Sequence, residues 1–201
     1  MWSHFQSRVT KANSCRADRI EGGVACEMVI TGKWIDDWAK KYDQNNQDEK
    51  KKEDDIFESI KAIGSPPQCL TKEVLIKVAD WKAPRAKGYV DKNDPYYVEE
   101  VTRVSFTTKN EKLKLEVLTL LDGVDIRMAS TILHFCFPDL YSVMDWRAWE
   151  SLRKLHKISG RIENAYGCYK RYNDVCQEIA EQFHVSLKIL DKALWQWKGG
   201  V

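Results

Sequence analysis

The sequence predicts an all-α fold, and three observations carry that expectation. From about Ile56 to Lys198 apolar residues recur at steps of three and four, the spacing that gathers them on one stripe of a helix. Proline and glycine interrupt these stretches, as in "GSPP" at 64–67 and "WKAPRAKGY" at 81–89, where a helix must stop or restart. With 201 residues, 43% of them hydrophobic, the chain can bury one substantial core or two small ones. A single helical unit over residues 1–201, of one or two lobes, follows.

In chain order, the first thirty residues show little periodicity, and "GGVACEMVI" at 22–30 reads as a short strand or extended segment leading into "TGKWIDDWAKKY". The run at 43–55 mixes charges of both signs without apolar spacing, which predicts an exposed loop entering a solvated helix start. Ile56, Ile60 and Ile63 then share one helix face, and Leu70, Val74, Val78 and Trp81 share another. Asp94 as N-cap and Pro95 in the first turn open the next helix, with a buried stripe expected at Tyr97, Val101 and Val104.

The segment "EKLKLEVLTLL" at 111–121 alternates at first like a strand, yet Leu113, Val117, Leu120 and Leu121 also fit a helix. Its neighbour decides. Ile126, Ala129, Ile132, Leu133 and Cys136 form one apolar face directly after a glycine turn, so a helix–hairpin–helix with its core at about 112–157 is the simpler arrangement. Arg127, Ser130, Thr131 and His134 are expected on the polar face. Asp145 begins a helix carrying Ala148, Leu152 and Leu155, followed by a stripe from Ile162 to Phe183 and a final one at Leu187, Leu190, Leu194 and Trp197. Tyr166, Tyr169 and Tyr172 fit a core better than a base-stacking ladder. No internal repeat is present.

A formal net charge of +2, from 32 basic and 30 acidic residues, excludes a uniformly basic nucleic-acid coat; nucleic-acid binding must come from local patches. No apolar run is long enough to span a bilayer and the N-terminus lacks a signal core, so a cytoplasmic, membrane-free protein is expected; a monomer is expected as well. The six cysteines are spread singly, which argues against a zinc or iron–sulfur cage, and no cofactor is expected.

The stretch "LLDGVDIRMASTILHFCFPDLYSVMDWRAWESL" at 120–152 suggests a chemistry. A hairpin built around Leu-x-Gly-Val and followed by a helix can offer backbone N–H groups and a positive dipole end to a phosphate. Beyond it a proline-bearing turn leads to "VMD", with Asp145 eighteen residues after Arg127. This segment resembles the helix–hairpin–helix DNA glycosylase superfamily, the endonuclease-three-type and adenine-mismatch glycosylases, whose hairpin reads roughly L-P-G-V-G-x-[K or S]-T-A with an essential aspartate eighteen residues after the K-or-S position. The match is strong over about 35 residues and loose elsewhere. Asp122 stands where the family has proline and Asp125 where it has the second glycine.

The resemblance implies an all-α, two-lobed helical fold, with Asp145 the catalytic carboxylate and duplex DNA with a damaged or modified base the partner. A fixed carboxylate below the sugar stabilises the positive charge that develops as the base leaves. Arg127 stands where some members carry a nucleophilic lysine; a guanidinium stays protonated, so a monofunctional enzyme that leaves an abasic site is expected. Arg127, Trp146 and Tyr141 are the candidates for contact with an extruded base, and Gly123, Val124, Asp125 and Arg147 for contact with DNA. Lys82, Arg85 and Lys87 are further phosphate contacts by charge. The alternative is a non-catalytic helix–hairpin–helix DNA-binding or adaptor protein.

Overall fold

The computed structural model describes residues 30–197, and within them every regular element is helical. The α-helices are α1 (Gly32–Asn45), α2 (Gln47–Ile63), α3 (Lys72–Lys82), α4 (Lys87–Val90), α5 (Pro95–Thr107), α6 (Glu111–Leu118), α7 (Ile126–Cys136), α8 (Trp146–Lys154), α9 (Tyr166–Phe183) and α10 (Leu187–Trp197), with a single 3-10 turn at Pro84–Ala86. None is long and apolar enough to cross a membrane. The short strand or extended segment expected at 22–30 lies outside the described residues except for Ile30, which is buried.

Local chemistry sets most of the helix starts. Thr31, Thr71, Asp94, Asn110, Asp125 and Asp145 each accept a backbone N–H from the first turn of the helix that follows, satisfying donors that a helix cannot pair internally. Pro95 occupies the first position of α5, as its missing N–H and fixed φ favour.

Helix α7 is the centre of the packing and touches α2, α3, α6 and α9. Its sides are buried all round from Met128 to Cys136, so Ser130, Thr131 and His134 are not on a polar face. Each of these buried groups is bonded. Ser130 Oγ donates to Arg127 O (2.7 Å) and accepts from Met144 N (3.0 Å), while Thr131 Oγ1 donates to Arg127 O (2.9 Å). His134 Nδ1 lies 2.7 Å from Tyr141 O; a carbonyl only accepts, so Nδ1 carries the proton. Burial pushes the His134 imidazole down to about 4, and the ring sits among Phe57 and Phe135.

Other stripes also differ from their expected register. On α5 the buried residues are Val98, Val101, Thr102 and Ser105, whereas Tyr97 and Val104 are exposed. The polar pair goes inside because both hydroxyls are used: Thr102 Oγ1 accepts from Leu70 N and donates to Val98 O, and Ser105 Oγ donates to Lys114 O. Segment 111–118 is helical, with Leu115 and Leu118 buried and Leu113 exposed. The tyrosines 169 and 172 are buried, and Tyr172 stacks on Trp149.

The charged run at 43–55 is not a loop. Helix α1 continues to Asn45 and α2 begins at Gln47, and two of these charges, Asp43 and Glu53, have partners on the last helix. Lys192 Nζ lies 2.8 Å from Asp43 Oδ1 and 3.1 Å from Glu53 Oε2, and Lys188 Nζ lies 3.3 Å from Glu53 Oε1. Helix α10 packs along α1 and also against α8 and α9, with Trp34 set edge-on to Trp197 and Tyr42 edge-on to Trp195.

Glu53 is buried between those two lysines. Removing one member of a buried ion pair leaves the rest uncompensated and costs about 3 to 5 kcal/mol. Glu53→Gln is expected to lower the unfolding free energy by that amount in urea titrations, and exposed Asp54→Asn by less than about 1 kcal/mol.

Candidate functional site

The segment that delivers Asp145 runs extended between α7 and α8 and is pinned on both sides. Ser142 N donates to Asn173 Oδ1 (2.7 Å), Tyr172 OH donates to Val143 O (3.0 Å), and Met144 N donates to Ser130 Oγ (3.0 Å). These bonds fix the backbone that carries the carboxylate. Asp145 Oδ1 accepts Arg147 N (2.8 Å) at the start of α8, and Oδ2 accepts the Lys82 ammonium from the end of α3 (3.0 Å). Both side chains are largely enclosed, 17% exposed for Asp145 and 11% for Lys82.

Two cavities meet at this pair. The larger, about 750 Å³, is an open groove bounded by Pro84 and Arg85 after α3, by Gly123 and Arg127 from the α6–α7 turn, and by Trp146. The smaller, about 320 Å³, lies between α1, α3 and α10 and is lined by Tyr42, Trp81, Arg147, Asp191 and Trp195. Lys82 and Asp145 line both.

Gly123 turns the chain between α6 and α7 at φ +81°, and a Cβ there would lie 3.0 Å from Tyr89 Cβ, Val90 Cγ2 and Val90 N. The turn is therefore packed onto α4, and Asn93 holds it there: its Oδ1 accepts Asp122 N (2.8 Å) and its Nδ2 donates to Asp122 O (3.1 Å). Asp125 caps α7 by accepting Met128 N (2.9 Å), and Asn164 Oδ1 accepts Ile126 N (2.9 Å). Val124 N donates to Leu121 O. These N–H groups of the turn are thus engaged within the protein.

The predicted site residues divide into three groups. Asp145, Arg127 and Trp146 share the groove with Gly123, Val124 and Asp125; Trp146 is 56% exposed, a surface ring at the rim. Arg127 is half-exposed and forks onto Asp125 Oδ2 through Nε (2.9 Å) and Nη2 (2.7 Å). Arg147, expected on DNA, has its guanidinium over Trp195 at 4.0 Å, beside the smaller cavity. Tyr141 belongs elsewhere: it is buried, donates to Glu111 Oε2 (2.7 Å), and lines neither cavity. It sits beside Phe137 because the chain folds back after α7, against α6 and α9.

Asp191 and Trp195 were not legible as site residues. Asp191 occupies a position of the α10 apolar stripe, four residues after Leu187 and three before Leu194, and a carboxylate on such a stripe was the available signal. Lys82, a phosphate contact by sequence, instead holds Asp145. Burial pushes the Asp191 carboxyl up to about 8; Asp145 and Glu53 push the same way, while Lys82 and Lys192 oppose. Among the described residues no three His, Cys, Asp or Glu side chains are grouped to hold a metal. No protein-family model matches the chain, and neither a curated protein nor a solved structure gave a match.

Folding raises the Asp191 pKa, so between about 4 and 8 the folded protein holds a proton that the unfolded chain releases, and stability falls as pH rises through that window. Asp191→Asn removes this slope. Its melting temperature is expected to gain on the native protein from pH 5 to pH 8 and to hold the gain at pH 9. Gly123→Ala is expected to cost more than about 1 kcal/mol in urea titrations, because both the φ and the space oppose a side chain.

Proposed function

We propose that the protein is a monofunctional DNA glycosylase that hydrolyses the N-glycosidic bond of a flipped-out damaged or modified base and leaves an abasic site. One observation carries this reading: Asp145 is a rigidly held carboxylate at the junction of an open groove and a small aromatic-walled cavity. A glycosidic bond placed at that junction would put the phosphate backbone in the groove and the base in the cavity. The carboxylate would then face the sugar, where positive charge grows as the base departs.

Further support comes from the frame around it. Helix α6, the Gly123 turn and α7 have the order and spacing of a helix–hairpin–helix, with Asp145 eighteen residues beyond Arg127. In this reading α2 to α7 form one lobe, and α1 with α8 to α10 the other. Because Asp122, Val124 and Ile126 already give their amides to the protein, side chains such as Arg85 and Arg127 carry the phosphate contact, with Arg127 exchanging Asp125 for the phosphate. Duplex DNA bearing the altered base is the partner, in repair or in defence against modified foreign DNA.

A second reading has its own observation. Lys82 Nζ is 3.0 Å from Asp145 Oδ2, so an amine is available where Arg127 cannot act, and attack on the sugar C1′ would make the enzyme bifunctional. A lysine held in an ion pair with Asp145 must leave that contact before it can attack, which favours hydrolysis. Borohydride treatment during turnover separates the two. No trapped adduct, with strand breaks appearing only after alkali, is the expected result; an adduct lost in Lys82→Met would establish the second reading.

The decisive variant is Asp145→Asn, screened with oligonucleotides carrying modified bases. Asparagine still caps α8 but lacks the charge opposite the sugar. Base release is expected to fall roughly a hundred- to thousandfold, equivalent to about 3 to 4 kcal/mol of transition-state stabilisation, with salt-dependent DNA binding preserved. Undiminished excision would remove Asp145 from the mechanism, and DNA binding without excision by the native protein on any substrate would leave the non-catalytic alternative.

A further inference from the structure

We propose that the small cavity behind Asp145 is the receptor for the extruded base, that it takes a planar heterocycle with an unsubstituted basic ring nitrogen, and that Asp191 donates a proton to that nitrogen as the base leaves. The catalytic half rests on the glycosylase reading; the binding half stands on the cavity itself.

Size and walls point to a single flat ring system. At about 320 Å³ the cavity is at the lower end of small-ligand sites, which span about 300 to 1,000 Å³. Its aromatic surfaces are held in place: Trp81 stands edge-on to Phe135 and donates Nε1 to Glu49 O (3.2 Å), and Trp195 stands edge-on to Tyr42 beneath the Arg147 guanidinium. Faces of this kind stack on a heterocycle whatever its substituents. They supply affinity without discrimination.

Discrimination falls to Asp191. Its carboxyl lines the cavity, and Oδ1 is shut off from solvent with no hydrogen-bond partner among the described residues. Buried polar atoms are nearly always paired, so a carboxyl on a cavity wall with one oxygen unbonded is a group that still lacks a partner. The groups around it come from every neighbouring element: Lys82 from α3, Asp145 before α8, Glu53 from α2, Lys192 from α10, Tyr42 from α1, and Tyr172 and Cys176 from α9. Two acids nearby and enclosure outweigh the two lysines, so the carboxyl is mostly neutral at pH 7. A neutral carboxyl has an O–H to give.

Two carboxyl groups in one site with opposite surroundings are a recognised arrangement for acid and charge-stabilising roles. The Asp191 O–H proton passes to the ring nitrogen while the glycosidic electron pair leaves with the base. Water adds to the sugar C1′ opposite Asp145 and releases one proton, and Asp191 is reprotonated from solvent. A base that already carries a positive charge needs no such donor, which is why a neutral base with a free basic nitrogen is the class that fits.

The test uses the full 201-residue chain with free adenine, cytosine and uracil as probes, read by quenching of tryptophan fluorescence, alongside single-turnover excision on any substrate found in the oligonucleotide screen. Adenine and cytosine are expected to bind and uracil, which lacks a free basic ring nitrogen, to bind at least tenfold more weakly. Adenine affinity is expected to fall about tenfold per pH unit above 8. Asp191→Asn, whose amide can still donate but does not titrate, should abolish that pH dependence, Asp191→Leu should weaken adenine at least tenfold, and Trp195→Leu should weaken all three probes. Absence of quenching by every base, equal binding of uracil, or an unchanged pH profile in Asp191→Asn would overturn the receptor. Base binding as expected in a protein that excises nothing would uphold the receptor and remove the glycosylase reading with the proton-transfer step. Native-rate excision of a neutral base by Asp191→Asn would overturn the proton donor alone.

Discussion

The docking of α10 against α1 and α2 is the constraint on which the site depends. One face of that helix is ordinary apolar packing, but its position is specified by buried charge: Lys192 meets Asp43 and Glu53, and Lys188 meets Glu53. Such pairs contribute little net stability over an apolar core, yet a wrong register strands them unpaired. Asn46 adds a hydrogen bond to Gln196, and Ser151 on α8 donates to Leu194 O. Asp191 and Trp195 lie between these anchors. A rotation of α10 by one residue would turn both away from Asp145.

The second support is α7 and the extended segment that follows it. Because α7 is enclosed, its hydroxyls and its imidazole have only protein partners, and two of them bond the chain that returns past it: Ser130 to Met144, and His134 to Tyr141. Asn173 and Tyr172 on α9 hold the same chain from the other side. The carboxylate of Asp145 therefore has little freedom left before any ligand arrives, the condition under which an electrostatic group does most for a transition state.

Charge around the site is distributed unevenly, and the distribution has consequences. Asp145 has a lysine and a helix N-terminus beside it, whereas Asp191 is partly buried with an orphan oxygen. In the groove, Asp125 takes for itself both a helix-start amide and the Arg127 guanidinium. A phosphate must compete with Asp125 for Arg127.

Helix content, most helix starts and the place of Asp145 were determined by the sequence alone, because caps, prolines and glycine turns act within a few residues. The Asp94–Pro95 start, the stripe at Leu187, Leu190 and Leu194, and the glycine turn before α7 belong to this class. What periodicity could not supply was which face turns inward when polar residues find partners. Thr102, Ser105, Ser130 and Glu53 are buried with Leu70, Lys114, Met144 and Lys192 as partners, each on another segment of the fold. The same holds for the site: Lys82, Asp145 and Asp191 are separated by 63 and 46 positions, and only the packing of α3, α8 and α10 makes them neighbours, since no local rule carries a charge across such distances.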